Sequence, residues 1–94
     1  MRRAARIDQN HGEIVDALRA IGCSVLSLAA LGKGVPDLLV ARNGRMWLIE
    51  IKDGGKPPSK RKLTDDQVEF WASWRGQIAK AETVEQAIEI VTRT

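Results

Sequence analysis

The sequence predicts an α/β fold: a single mixed β-sheet with a central hairpin, flanked by helices, in the order αβββαβα. Three observations predict it. Asn43-Gly44 divides two apolar runs, Val35 to Arg42 and Arg45 to Lys52. That dipeptide is the strongest short hairpin signal, because both central residues of a type I′ turn need positive φ. Apolar residues recur at helical spacing before and after this region. Both faces of the hairpin are apolar, which places it centrally with cover on each side.

The elements follow in order. Ile14, Leu18 and Ile21, with Val15 and Ala17 beside them, mark a first helix that Gly22 ends as a C-terminal cap. Cys23 to Leu28 reads as a short, largely buried strand, and Leu31 to Gly34 as a loop. A two-residue turn at Asn43-Gly44 sets the hairpin register, so Arg42 faces Arg45 and Asp37 falls directly opposite Glu50. Counting alternate pairs outward makes Asp37 and Glu50 a non-hydrogen-bonded pair, with side chains close together on one face. Lys52 lies two residues beyond Glu50 and shares that face, with Leu39, Met46 and Leu48. Leu38, Val40, Trp47, Ile49 and Ile51 take the other.

Asp53 to Leu63 is a Gly/Pro/Lys segment without periodicity, expected to be a mobile, exposed loop. Thr64-Asp-Asp-Gln67 has the form of a capping box and starts a second helix. Val68, Trp71 and Ala72 mark its inner face, with Phe70 and Trp74 alongside, and Gly76 stops it. Gln77 to Lys80 is a short last strand. Thr83-Val-Glu-Gln86 repeats the capping pattern before an amphipathic stripe of Val84, Ala87, Ile88 and Val91.

Ninety-four residues make one domain, 1–94, with a modest core. The longest apolar runs are too short to span a bilayer. Arg2, Arg3 and Arg6 are followed by no apolar stretch, which argues against a secretory signal. Cys23 is the only cysteine, so an internal disulfide is excluded and a reducing, intracellular (cytoplasmic) location is expected. The net charge is +3, unevenly spread: residues 1–62 hold twelve Lys/Arg against six Asp/Glu, residues 63–94 three against six. A basic front with an acidic tail suggests a polyanion partner.

Two carboxylates opposite each other on a buried strand pair repel. Either one stays protonated, or a hard divalent cation sits between them. With Lys52 on the same face, Asp37 and Glu50 have the parts needed for phosphodiester hydrolysis. A metal polarises the phosphoryl oxygen and lowers the pKa of bound water. An ammonium orients the water or stabilises the transition state.

Pro36-Asp37, twelve intervening residues, then Glu50-Ile51-Lys52 resembles the PD-(D/E)xK nuclease signature. More narrowly, Gly34-Val-Pro-Asp-Leu-Leu39, the short hairpin and a following helix bearing Gln67 resemble the VRR-NUC (virus-type replication-repair nuclease) family, over roughly residues 10–75. The resemblance implies a restriction-endonuclease-like core and a DNA endonuclease that uses Mg²⁺ or Mn²⁺. It implies Asp37, Glu50 and the Ile51 backbone carbonyl as metal ligands and Lys52 as the catalytic lysine. Gln67 would orient the site, and Glu13 would match a first-helix acid acting on the metal directly or through water. Stand-alone members are similar to homodimeric junction-resolving enzymes, so a homodimer acting on branched, Holliday-junction-like DNA is expected, with a phage gene acting in a host cell as one source.

Several residues have plainer readings. Gln67 at N3 of a capping box is explained by the cap itself, and Glu13 borders an apolar stripe where most acids are merely solvated. His11 near a helix start reads as surface. Gly32-Lys33-Gly34 lacks the ending of a P-loop; its glycines permit a sharp turn, and Lys33 is a candidate phosphate contact. Lys56, Lys60, Arg61 and Lys62 are a solvated loop or, directly after Lys52, a phosphate-binding one. Trp71 and Trp74 at helical spacing favour packing over base stacking. The rival readings are a non-catalytic nucleic-acid-binding module that retains the fold, and a subunit-interaction domain with an accidental triad.

Overall fold

The computed structural model describes residues 9–93, so the basic residues Arg2, Arg3 and Arg6 lie outside the described part. The element order is the expected one. α1 (His11–Ala20) precedes three strands, β1 (Ser24–Ser27), β2 (Leu38–Arg42) and β3 (Arg45–Ile51). Then come α2 (Asp65–Ser73), β4 (Ile78–Ala81) and α3 (Val84–Thr92), with single 3₁₀ turns at Ala29–Leu31 and Pro58–Lys60. The four strands form one sheet in the order β1-β2-β3-β4. The first three are antiparallel, and β4 runs parallel to β3. A parallel neighbour needs a crossover, and α2 with its preceding loop supplies it.

The hairpin has the register read from its turn. Arg42 pairs with Arg45, Val40 with Trp47 and Leu38 with Ile49. Asn43 (φ 53°) and Gly44 (φ 78°) adopt the two positive φ values a type I′ turn requires.

One face of the sheet carries the core. Leu38, Val40, Trp47, Ile49 and Ile51 are buried there with Ala81 of β4. Ile14 and Leu18 of α1 and Ala87, Ile90 and Val91 of α3 cover them. The α3 stripe is therefore turned slightly from expectation: Ile90 is buried and Ile88 only half-buried.

The second face departs from the sequence reading. β1 is an edge strand whose Leu26 is 58% exposed, not a largely buried one. Met46 is 53% exposed, and a shallow groove of about 150 Å³ runs along Ser24, Leu26, Leu39, Ala41 and Met46. α2 buries no residue fully. Its inward positions are Gln67, Phe70 and Trp71, at i, i+3 and i+4, while Val68 and Ala72 face outward. Apolar content made Val68 look like an inner residue. Gln67 holds that place instead, because its polar bonds to β3 anchor the helix. Phe70 stacks on Trp74 with centroids 5.4 Å apart. Among the described residues, no helix is long and apolar enough to cross a membrane.

Candidate active site

The site is built where the hairpin ladder stops. The last β2–β3 pair is Leu38↔Ile49, so Asp37 lies one residue outside the strand rather than in a regular pair with Glu50. Pro36 explains the stop. Continuing the ladder would pair Pro36 with Ile51 through both backbone groups, and proline has no N–H to give. Asp37 takes over the other half of that pair: its Oδ2 accepts the Ile51 N–H at 2.7 Å. The aspartate is thereby held by one carboxylate oxygen. The Ile51 carbonyl, which faces the same side as its N–H, meets no backbone donor from Pro36.

Glu50 projects from the face opposite Ile49 and Ile51 and is 4% exposed. Lys52 follows on the same face at 9% exposure. Gln67 joins the two. Its Nε2 donates to Glu50 Oε2 at 2.9 Å, and its Oε1 accepts from Lys52 Nζ at 2.9 Å. Lys52 Nζ also stands 3.7 Å from Glu50 Oε2. The amide can point only this way, since the reverse would set its NH₂ against the ammonium and its oxygen against the carboxylate.

The capping-box reading of Gln67 and its site reading hold together. Thr64 Oγ1 accepts the Gln67 N–H, and Gln67 Oε1 accepts the Thr64 N–H at 2.8 Å while also bonding Lys52. One oxygen thus serves the start of α2 and Lys52, the residue that follows β3. The approach is close because residue 34 is glycine. Gly34 has φ +80°, and a Cβ there would meet the Asp66 carbonyl and lie 3.0 Å from Gln67 N. The Gly-Val-Pro-Asp segment therefore sets α2 against the strand as well as turning the chain.

Glu13 is placed differently. It lines a polar cleft with Gln9, Asn10 and Asp53. Among the described residues, no three His, Cys, Asp or Glu side chains gather in a form that would hold a metal. Asp37 bonds the Ile51 N–H and Glu50 precedes Ile51 in β3, so two carboxylates and the Ile51 carbonyl are hard oxygen donors that flank one residue of the strand. Hard oxygen donors of this kind fit Mg²⁺ or Mn²⁺.

Lys33 is exposed at the turn before Gly34, with φ 58°. Lys56, Lys60 and Lys62 are exposed on the loop after Lys52. Arg61 is not turned outward like them: its Nε donates to the Lys56 carbonyl at 2.8 Å and its Nη1 to Glu82 Oε1 at 3.0 Å. The loop itself is bonded into place. Gly54 N–H reaches the Glu82 carbonyl at 3.0 Å, and Lys80 Nζ donates to the Arg61 carbonyl at 3.0 Å. The hydrogen bond from Arg61 lowers the Glu82 carboxyl's pKa below the usual glutamate value, together with the ammonium of Lys80.

Three residues near the site were not singled out from sequence. Asn10 precedes α1, where asparagine usually signals an N-cap. It makes no cap bond; its Nδ2 donates to the carbonyls of Lys52 (3.2 Å) and Glu82 (3.0 Å). Lys80 pairs in register with Glu50, a parallel pairing that no turn signal announces. Glu82 sits at the end of β4 and looks like an ordinary surface acid. Cys23 is buried, which raises its thiol pKa and keeps it in the protonated form.

The chain has the fold of a solved structure described as "VRR_NUC domain", with TM-score 0.63 and 22% identity over 89% of this chain and 96% of that one. That is the restriction-endonuclease-like arrangement of one mixed sheet flanked by helices. No family model matches the sequence, and no curated protein does.

Proposed function

We propose that this chain, with its VRR_NUC-type fold, is a divalent-metal-dependent DNA endonuclease that hydrolyses phosphodiester bonds in branched DNA as a homodimer. One observation carries the reading: Gln67 hydrogen-bonds both Glu50 and Lys52, and Asp37 accepts the N–H of Ile51, the residue between them. A purely structural carboxylate pair would not need a lysine and a glutamine locked beside it.

Asp37, Glu50 and the Ile51 carbonyl would hold Mg²⁺ or Mn²⁺. When bound, the metal supplies Lewis-acid polarisation of the phosphoryl oxygen and an acidified water. The chain's own residues prepare the rest. The Ile51 N–H fixes the Asp37 carboxylate, so little is lost in ordering it. Gln67 keeps the Lys52 ammonium beside Glu50, where it stabilises the charge that builds on a phosphate in the transition state. The low exposure of Glu50 and Lys52 strengthens that attraction, because water screens it less. Lys33, Lys56, Lys60 and Lys62 would contact flanking phosphates and give affinity without reading bases. Preference for branched DNA would come from shape. The exposed Leu26 and Met46 groove supports a self-association surface, since contiguous exposed apolar patches mark interaction sites.

The test is cleavage of a synthetic four-way junction and of linear duplex with Mg²⁺ or Mn²⁺, against Asp37→Ala. Junction cleavage by the native chain alone is expected, with a dimeric mass by light scattering. Binding by both proteins with cutting by neither would refute the enzyme reading.

A further inference from the structure

We propose that Glu82 is a positioning residue. It latches the basic loop, residues 53–63, to the end of β4 so that the loop stands as a fixed phosphate-binding wall beside the candidate active site. The inference rests on the nuclease reading for the wall's ligand, and on geometry alone for the latch.

The loop has a defined place relative to the site. It leaves the sheet directly after Lys52 and ends at Thr64, whose N–H is bonded by Gln67. Both of its ends are thus tied to site residues. Eleven residues rich in glycine, proline and lysine would otherwise be free to move between those ends. Glu82 removes that freedom through both its backbone and its side chain. Its carbonyl accepts the Gly54 N–H (3.0 Å) and the Asn10 amide (3.0 Å). Its carboxylate takes Arg61 through Oε1 (3.0 Å) and Lys80 through Oε2 (3.2 Å). Arg61 passes the restraint inward to the Lys56 carbonyl (2.8 Å), and Lys80 grips the Arg61 carbonyl (3.0 Å). Gly54 is small for the same reason: a Cβ there would sit 2.8 Å from the Glu82 carbonyl oxygen.

The arrangement divides the cations of the loop. Arg61, the one guanidinium, is turned inward as the latch, while Lys60 and Lys62 remain exposed for a polyanion. Ordering the wall before binding avoids the entropy of fixing it afterwards. Simple charge counting gives the opposite expectation for Glu82. Deleting an acid from a DNA-facing edge, and freeing Arg61 and Lys80, should strengthen DNA binding. The two accounts differ in sign.

The experiment compares the native chain with Glu82→Gln and Glu82→Ala, after circular dichroism melts show that each variant folds. Limited trypsin digestion reads the latch without DNA; cutting within 56–62 should accelerate about tenfold in either variant, as local opening becomes easier. A fluorescein-labelled four-way junction in Ca²⁺ reads binding; affinity should fall about fivefold for each variant, the order expected from loop-ordering entropy. In Mg²⁺, KM should rise while kcat stays near native. Unchanged trypsin cutting in both variants, or equal or tighter junction binding by variants whose loop has loosened, overturns the inference while leaving the nuclease reading standing. Absence of salt-dependent junction binding by the native chain overturns that reading, and the wall with it.

Discussion

Gly34→Ala tests how the site is assembled, because this glycine touches no reacting group and should still be needed. Its φ of +80° costs an alanine about 1–2 kcal/mol. The added Cβ would also meet the Asp66 carbonyl group, with its carbon at 2.6 Å and Gln67 N at 3.0 Å. Ordinary carbon contacts lie near 3.5–4.0 Å, so the first turn of α2 must withdraw by about 1 Å. Gln67 moves with it. Its bonds to Glu50 and Lys52, each 2.9 Å, would stretch beyond hydrogen-bonding range. Counting only one of these two bonds to charged partners, at about 1.5–3 kcal/mol, the total is about 2.5–5 kcal/mol. Gly44→Ala is the control: its φ is +78° and a Cβ there meets nothing within 4 Å, so it bears the conformational cost alone. For a domain of this size 1 kcal/mol shifts Tm by about 4–8 °C. Gly34→Ala should therefore melt at least about 6 °C below Gly44→Ala in circular dichroism scans, and lose junction cleavage. Two variants melting within about 4 °C of each other would refute the close-packing argument.

Other expectations follow from the same geometry. Asp37→Asn keeps an oxygen for the Ile51 N–H and should melt near the native temperature while abolishing cleavage; Asp37→Ala leaves that N–H without its acceptor and should cost a further 1–3 kcal/mol or so in urea denaturation. Gln67→Glu preserves the capping box, since glutamate serves at N3, but sets a second carboxylate against Glu50. It should depress cleavage at neutral pH at least about tenfold, and calorimetry should show weaker Mn²⁺ binding or a raised carboxyl pKa. Glu82 has a folded pKa below the ordinary value of about 4.5. Its contribution to stability is therefore complete above that value and is lost as pH falls through the lowered folded value. The Tm gap between native protein and Glu82→Gln should be constant from neutral pH down to about pH 5, then close in more acid buffer; a gap that widens in acid contradicts the latch.

Much of this protein is legible in the chain because short-range rules govern it. Asn43-Gly44 determines the turn type, the turn determines the register, and the register places Glu50 and Lys52 on one face before any tertiary contact is considered. The Thr64 and Thr83 patterns likewise mark where α2 and α3 begin. What the sequence could not determine depends on contacts between distant segments. The ladder's end at Leu38 follows from Pro36 having no N–H to give Ile51 across the hairpin. The inner face of α2 is chosen by Gln67's bonds to β3, over the apolar claim of Val68. Arg61 reads as a phosphate ligand until β4 brings Glu82 beside it. Local propensity and periodicity act within a few residues, whereas hydrogen-bond partners for polar side chains are found only when the sheet closes. The strands and caps were therefore determined by the sequence itself, and the allocation of its charged and amide groups, on which the candidate site depends, was decided by the tertiary structure.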